Sequence, residues 1–201
     1  MDPEIKIILA SQSPRRAAIL RQVGLRFTVR IPEEIENGIT GRDARKTACR
    51  LAREKAESVA RQEPDALVIG ADTLVVLKDR ILGKPAGRNE AVDMLKSLSG
   101  RTHRVVTGFC LAAPDRLITD SEETRVVFRS LSDWEIRAYV DSGLPMDKAG
   151  AYGIQDWGGV FVRKVAGCYY NVVGFPLTKF YTALRELWGE SLLEKRVGPH
   201  R

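Results

Sequence analysis

Apolar and polar positions along this chain switch between two periods, one of about two residues and one of three to four. Residues 5–10 form a short apolar run of strand length, and Arg15 to Val23 follows with the spacing of an amphipathic helix. Ser13 stands where an N-cap belongs, Pro14 suits the first helical position, and Gly24 stops the helix. Arg26 to Ile31 reads as a second strand, residues 32–41 as a loop rich in acid and glycine, and residues 42–61 as a long helix. Leu67 to Leu77 holds two apolar runs hinged at Gly70-Ala71-Asp72, Arg80 to Gly83 is short and extended, and Asn89 to Leu98 is helical. Thr102 to Ala112 and Leu117 to Phe128 alternate as neighbouring strands joined across Pro114-Asp115. Ser132 and Glu135 form a capping box for the next helix, which ends near Ser142-Gly143. Strands near Val160 to Val165 and Tyr169 to Val173 precede a helix from Leu177 to Leu187, and Gly189 to Arg201 reads as a loosely held polar tail. With no internal repeat and no linker, residues 1–201 are expected to form one α/β domain.

Composition narrows the class. The balance of 44% hydrophobic and 29% charged residues is that of a globular protein with a core. The net charge of +6 is compatible with an anionic partner, whether nucleotide, nucleic acid or lipid. No apolar stretch is long enough to span a bilayer, and the opening residues do not resemble a signal peptide, so a cytoplasmic location without membrane association is expected. Cys49, Cys110 and Cys168 are widely spaced and read as reduced thiols rather than zinc ligands.

Several segments carry candidate chemistry. At Ser11-Gln12-Ser13-Pro14-Arg15-Arg16 a strand turns into a helix whose free N–H groups, two hydroxyls and two guanidiniums suit a polyphosphate; an ordinary cap with solvated arginines is the alternative. Lys55 interrupts the apolar stripe Ala44, Ala48, Leu51, Val59, so it either snorkels to solvent or meets an anion. Asp72, between apolar runs, needs a metal, a cation or several hydrogen bonds. Lys84, a dozen positions later, is placed to pair with Asp72 or to hold a phosphate oxygen. Glu33, Glu34 and Glu36 could complete a carboxylate pair for a hard cation or simply form a solvated loop. In Asp147 to Gln155, small residues allow close backbone approach, and the Gln155 amide could read a base edge. His103 is a tempting general base, although a lone histidine at a strand mouth also reads as structural.

Taken together, the blocks Leu9 to Arg16, Leu51 to Ala56, Gly70 to Thr73 with Gly83-Lys84-Pro85, Leu98-Ser99-Gly100 with His103, and Asp147 to Gln155 with Asn171 to Gly174 resemble the Maf family of nucleoside triphosphate pyrophosphatases. The resemblance implies an extended, curved mixed sheet with helices in two lobes around a central cleft, often as a homodimer. It also implies hydrolysis to a nucleoside monophosphate and pyrophosphate with Mg²⁺ or Mn²⁺. By that resemblance Asp72 is the general base and Glu36 lines the phosphate and metal region; a divalent cation held between Asp72 and Glu36 is expected from the charge of a bound triphosphate. Arg15, Thr73 and Gln155 bear on substrate choice, and Ser11, Arg16, Lys55 and Lys84 line the phosphate region. Residues 148–155 look like the dTTP/UTP branch rather than the 7-methyl-GTP branch. Asp156-Trp157 departs from the pattern, which has glycine after the glutamine. Outside the family, the alternative is a basic nucleic-acid-binding module; it wants basic residues on one face with interleaved aromatics, and only 7% of residues are aromatic.

Overall fold

The computed structural model describes residues 5–32 and 43–198. Its elements are β1 (Ile7–Ala10), α1 (Pro14–Gln22), β2 (Thr28–Arg30), α2 (Ala44–Ala60), β3 (Leu67–Leu77), β4 (Arg80–Leu82), α3 (Arg88–Leu98), β5 (Thr102–Ala112), β6 (Leu117–Phe128), α4 (Asp133–Asp141), β7 (Val162–Ala166), α5 (Tyr169–Val173) and α6 (Leu177–Arg196). Short 3₁₀ turns occupy residues 144–147, 149–151 and 157–161. The strands form one mixed sheet in the order β2-β1-β3-β5-β6-β7, with β4 added to β3. Among the described residues no helix is long and apolar enough to cross a membrane.

Strand alternation sorts the core. Leu67, Ile69 and Ala71 of β3 join Phe109, Leu111, α1 and α6 in one apolar cluster. Val75 and Leu77, on the same face but at the far end of β3, join α3, α4 and Val105 in a second. The opposite face of the same strands is covered by α2, whose Ala52 and Ala56 pack with Val68, and whose Ala44, Ala48 and Leu51 pack with Leu74, Val76 and Val106. The two large clusters thus sit at opposite ends of β3 and β5, leaving the middle of β3 between them.

Three expectations change. The two apolar runs at 67–77 are one unbroken strand, and Gly70 is no hinge. A Cβ there would lie 2.2 Å from the Ala52 carbonyl oxygen, and one at Gly108 would lie 2.4 Å from that of Ala48, so both glycines exist to let α2 press on the sheet. Residues 169–173 are helical rather than extended. The Asn171 amide is buried and donates to the Val105 carbonyl and Thr124 Oγ1, and Gly174, at φ +122°, closes the turn through its N–H to the Tyr170 carbonyl. These tertiary contacts outweigh the strand preference of Tyr and Val. The segment after Gly189 continues as helix to Arg196 past a kink at that glycine, because Trp188 and Leu193 bury against the first cluster. The capping box of α4 forms as expected, with Ser132 Oγ accepting from the Glu135 N–H and Glu135 accepting from the Ser132 N–H.

Candidate active site

The open edge of β3 makes the site. β5 follows β3 along its whole length on one side. On the other, β1 runs parallel to β3 only as far as Ala10 opposite Gly70, and β4 pairs antiparallel only from Val75 onward. Ala71 to Leu74 therefore have no strand neighbour on that edge among the described residues, and a cavity of about 580 Å³ opens there. It lies at the carboxyl end of β1, where the chain turns into α1, the usual place for a ligand in a parallel α/β unit.

Lys55 and Asp72 meet at the back of this cavity. Asp72 is paired across the sheet with Gly108, on the face covered by α2, and the closeness that Gly70 and Gly108 permit brings Lys55 onto it. Lys55 Nζ donates to Asp72 Oδ1 in a short ion pair. Burial pulls the Lys55 ammonium below its ordinary pKa, and the Asp72 charge opposes that shift. Of the readings open to Lys55, snorkelling and meeting an anion, the second is the one observed.

At the mouth of α1, Ser13 is the N-cap residue but its hydroxyl makes no capping bond. Ser11 engages this turn instead, since its buried Oγ accepts from the Ser13 N–H at 3.1 Å and from Arg16 Nη1 at 3.2 Å. Having accepted twice, the Ser11 hydroxyl still has its proton to give. No side chain caps the first turn of α1, which leaves a positive dipole end facing the cavity.

Three of the five Arg16 guanidinium N–H groups bond to protein. Besides Ser11, its Nε donates to the Gly174 carbonyl at 2.9 Å and its Nη2 to Thr73 Oγ1 at 3.1 Å. Burial lowers its pKa, partly offset by Asp72. Thr73 Oγ1 is 3.0 Å from Thr107 Oγ1, which donates to the Asn171 carbonyl at 3.1 Å. Polarity therefore runs in one direction, from guanidinium to Thr73 to Thr107 to Asn171.

Arg15, one position earlier, points across the cleft and pairs with Asp147 at 2.8 Å. Lys84 is exposed and lines the cavity after β4, and the adjacent Gly83 carbonyl accepts from the Gly150 N–H at 2.9 Å. Gln155 is exposed and lines the same cavity. The wall carries Arg15, Arg16, Lys55, Lys84 and Lys148 against Asp72 and Asp147, an excess of positive charge that would draw in a polyanion. Glu33, Glu34 and Glu36 lie outside the described residues.

His103 takes no part in this cluster. It is 1% exposed, its Nε2 lies 2.8 Å from the Tyr152 hydroxyl, and its ring packs edge-on against Phe128 and Tyr152. Burial pushes its pKa down to about 4. His103→Gln is therefore expected to keep the wild-type shape of the pH–rate profile. A folded pKa below the unfolded one means that the unfolded chain binds more protons, so stability drains as pH falls from about 6.5 toward about 4. Thermal denaturation across that range should show a shallower acid decline in the variant; a lost kinetic step instead would return His103 to the chemistry.

Some members of this site have no local signature in the sequence. Thr107 enters through a long-range bond to the Asn171 carbonyl, Asn171 and Gly174 are marked only by the block they share in the resemblance and not by any role, and Tyr139 and Asp156 enter through the loop beneath Gln155. Only the unusual Asp156-Trp157 after the glutamine hints at the last of these.

Against known families, the model described as Maf-like protein matches residues 6–187. The chain belongs to the Maf family. A protein of Aquifex aeolicus (strain VF5) named dTTP/UTP pyrophosphatase is 48% identical over 183 residues, covering 91% of this chain and 96% of that protein. A protein of the same name from Syntrophomonas wolfei is 48% identical over 179 residues, covering 88% and 94%. Another, from Carboxydothermus hydrogenoformans, is 46% identical over 187 residues, covering 92% and 100%. Most of the blocks that carry the Maf resemblance meet in space on the open edge of β3, where Ser11 to Arg16, Lys55, Asp72 with Thr73, Lys84 and Gln155 line one cavity; the block of Leu98 to Gly100 with His103 does not line it.

Proposed function

We propose that this Maf protein is a cytoplasmic nucleoside triphosphate pyrophosphatase that hydrolyses dTTP and UTP to the monophosphate and pyrophosphate. The observation that carries the reading is the cavity itself, where a half-buried lysine–aspartate pair and an uncapped helix N-terminus share one cationic wall. Relatives of nearly equal length that bear this activity in their names support it.

A divalent cation fits the donor set. Asp72 is a carboxylate on the cavity wall with one oxygen engaged by Lys55, and Mg²⁺ or Mn²⁺ typically takes one or two protein carboxylates and completes its shell with phosphate oxygens and water. Asp72 and Glu36 would hold the ion, which would supply charge neutralisation and Lewis acidity at the phosphates.

The protein's own groups account for the rest. The Ser11 hydroxyl and the free N–H groups of α1 bind phosphate oxygens, and Arg16 acts by holding Ser11 and Thr73 in place. Arg15 leaves Asp147 for the triphosphate, and Lys84 closes on it from β4. Lys55 turns from Asp72 to an oxygen of the substrate, which frees the carboxylate to take a proton from water. The water oxygen bonds to the α-phosphorus, the bond from that phosphorus to the bridging oxygen breaks, and the electron pair leaves with pyrophosphate. Thr73 and Gln155 bear on which nucleotide is accepted, with the Gln155 amide both donating to and accepting from the base edge.

The test is product release from a panel of nucleoside triphosphates with Mg²⁺, Mn²⁺ or chelator. Pyrophosphate from dTTP and UTP, with kcat/KM at least ~10-fold above that for CTP, ATP and 7-methyl-GTP, is expected. Preference for 7-methyl-GTP would move the protein to that branch of the family, and salt-sensitive RNA or DNA binding with no hydrolysis would support a nucleic-acid module instead.

A further inference from the structure

We propose that Asp156 is a positioning residue for nucleotide selection: its carboxylate, with Tyr139 and Lys148, fixes the loop that presents Gln155 to the cavity. The inference rests on the proposed role of Gln155 in reading the base and adds the device that holds it.

Three bonds converge on this carboxylate. Asp156 Oδ1 accepts from the Tyr139 hydroxyl at 2.7 Å and from the Gly158 N–H at 2.9 Å, and Oδ2 lies 3.3 Å from Lys148 Nζ. The Tyr139 oxygen in turn accepts from the Gly153 N–H at 3.0 Å. One phenol on α4 thereby ties down residues 153 and 156, on either side of Ile154-Gln155. The phenol is a rigid anchor, since Tyr139 is fully buried and packs against Phe161 and Trp157. Burial and the neighbouring Asp156 raise its pKa well above the ordinary range, so it stays a donor.

The loop backbone is built around the same contacts. A Cβ at Gly153 would come 2.4 Å from Asp156 Oδ2 and 2.6 Å from Lys148 Cε, so the ion pair lies directly over residue 153. A Cβ at Gly158 would come 2.9 Å from both the Gly153 carbonyl and the Tyr139 hydroxyl. Lys148, whose side chain is 9% exposed, also donates to the Leu144 carbonyl at 2.5 Å and to Asp147 Oδ1 at 2.7 Å. Asp147 Oδ2 holds Arg15 on the far side of the cleft. Lys148 keeps its bonds to Leu144 and Asp147 without the acid at 156, so the hold on Arg15 at the phosphate end does not depend on that carboxylate, whereas the loop under Gln155 does.

Loss of this carboxylate removes the restraint on Gln155 while the apolar packing of Tyr139 persists. Full-length Asp156→Ala is expected to raise KM for dTTP and UTP about tenfold more than it lowers kcat and to narrow discrimination against CTP. Inhibition by inorganic tripolyphosphate, which has no base, should stay within about threefold of wild type. Asp156→Asn, whose amide oxygen still accepts from Tyr139 and Gly158, should recover most of the KM. An unchanged KM ratio in Asp156→Ala, or loss of tripolyphosphate inhibition in parallel with dTTP binding, would overturn the proposal. Hydrogen exchange reports the pinning without turnover: the Gly153 and Gly158 amides should exchange faster in Asp156→Ala, and unaltered protection would refute it. Wild-type protein inactive on dTTP and UTP but with that exchange difference would instead overturn the proposed function, and with it the selection role, while leaving the pinning established.

Discussion

Asp72→Asn is expected to lower kcat for pyrophosphate release by ~100-fold or more, the loss typical of a removed acid–base group, in a protein that folds normally. The change is isosteric, and the amide oxygen still accepts from Lys55 at the position where Oδ1 does. The backbone pairing of residue 72 with Gly108 is untouched. What disappears is the capacity to take a proton from water at the open edge of β3. A second effect has a defined sign. Burial already lowers the Lys55 pKa and Asp72 is the main cause holding it up, so a neutral residue 72 lets it fall further. Lys55 should then lose its charge at lower pH, and KM in the variant should climb earlier than in wild type as pH rises. Steady-state kinetics beside a thermal melt check both; near-normal kcat in a folded Asp72→Asn would remove Asp72 from the proton-transfer step.

The largest effect away from the chemistry is expected at Gly70. Its missing side chain is the space into which α2 settles, with the Ala52 carbonyl 2.2 Å and the Ala56 nitrogen 2.9 Å from where a Cβ would stand. Those atoms are backbone, so no rotamer change relieves the clash, and α2 must lift. Overpacking of this kind costs about 3 kcal/mol, and for a chain of this length the Tm falls on the order of 10 °C. Lys55 lies on the turn between Ala52 and Ala56, so lifting α2 also draws the ammonium away from Asp72. Gly70→Ala should therefore lose activity below its melting temperature as well. Gly87→Ala is the contrast: nothing lies within 4 Å of its Cβ position, and the change, at the N-cap of α3, should cost no more than about 1 kcal/mol. Equal melting temperatures for the two variants would contradict this seating of α2.

Much of the fold is legible because period and capping agree. The alternation at 102–112 and 117–128 gives β5 and β6 over those same residues, and Ser132 with Glu135 marks the start of α4. Legibility fails where a distant contact decides. Tyr169 to Val173 has strand-like side chains and becomes helix because Asn171 must satisfy Val105, 66 positions away. Gly70 looks like a flexible hinge because sequence cannot reveal that a helix lies against it. The site divides in the same way. Lys55 and Asp72 stand out because each is a charge inside an apolar pattern, which demands a partner, and they are each other's partner. Thr107 is an ordinary residue until the sheet brings Thr73 and Thr107 to 3.0 Å. Ser11 and Arg16 are visible as a phosphate motif, but that Arg16 spends its donors on Ser11, Thr73 and Gly174 can be seen only in three dimensions.

The measurement that bears most directly on the central claim is a single turnover of dTTP in heavy-oxygen water with Mg²⁺, followed by mass analysis of both products. Attack at the α-phosphorus in this cleft predicts one heavy oxygen in the thymidine monophosphate and none in the pyrophosphate. Label in the pyrophosphate, or release of orthophosphate with a nucleoside diphosphate, would mean that water attacks elsewhere on the chain of phosphates and would contradict the proposed reaction.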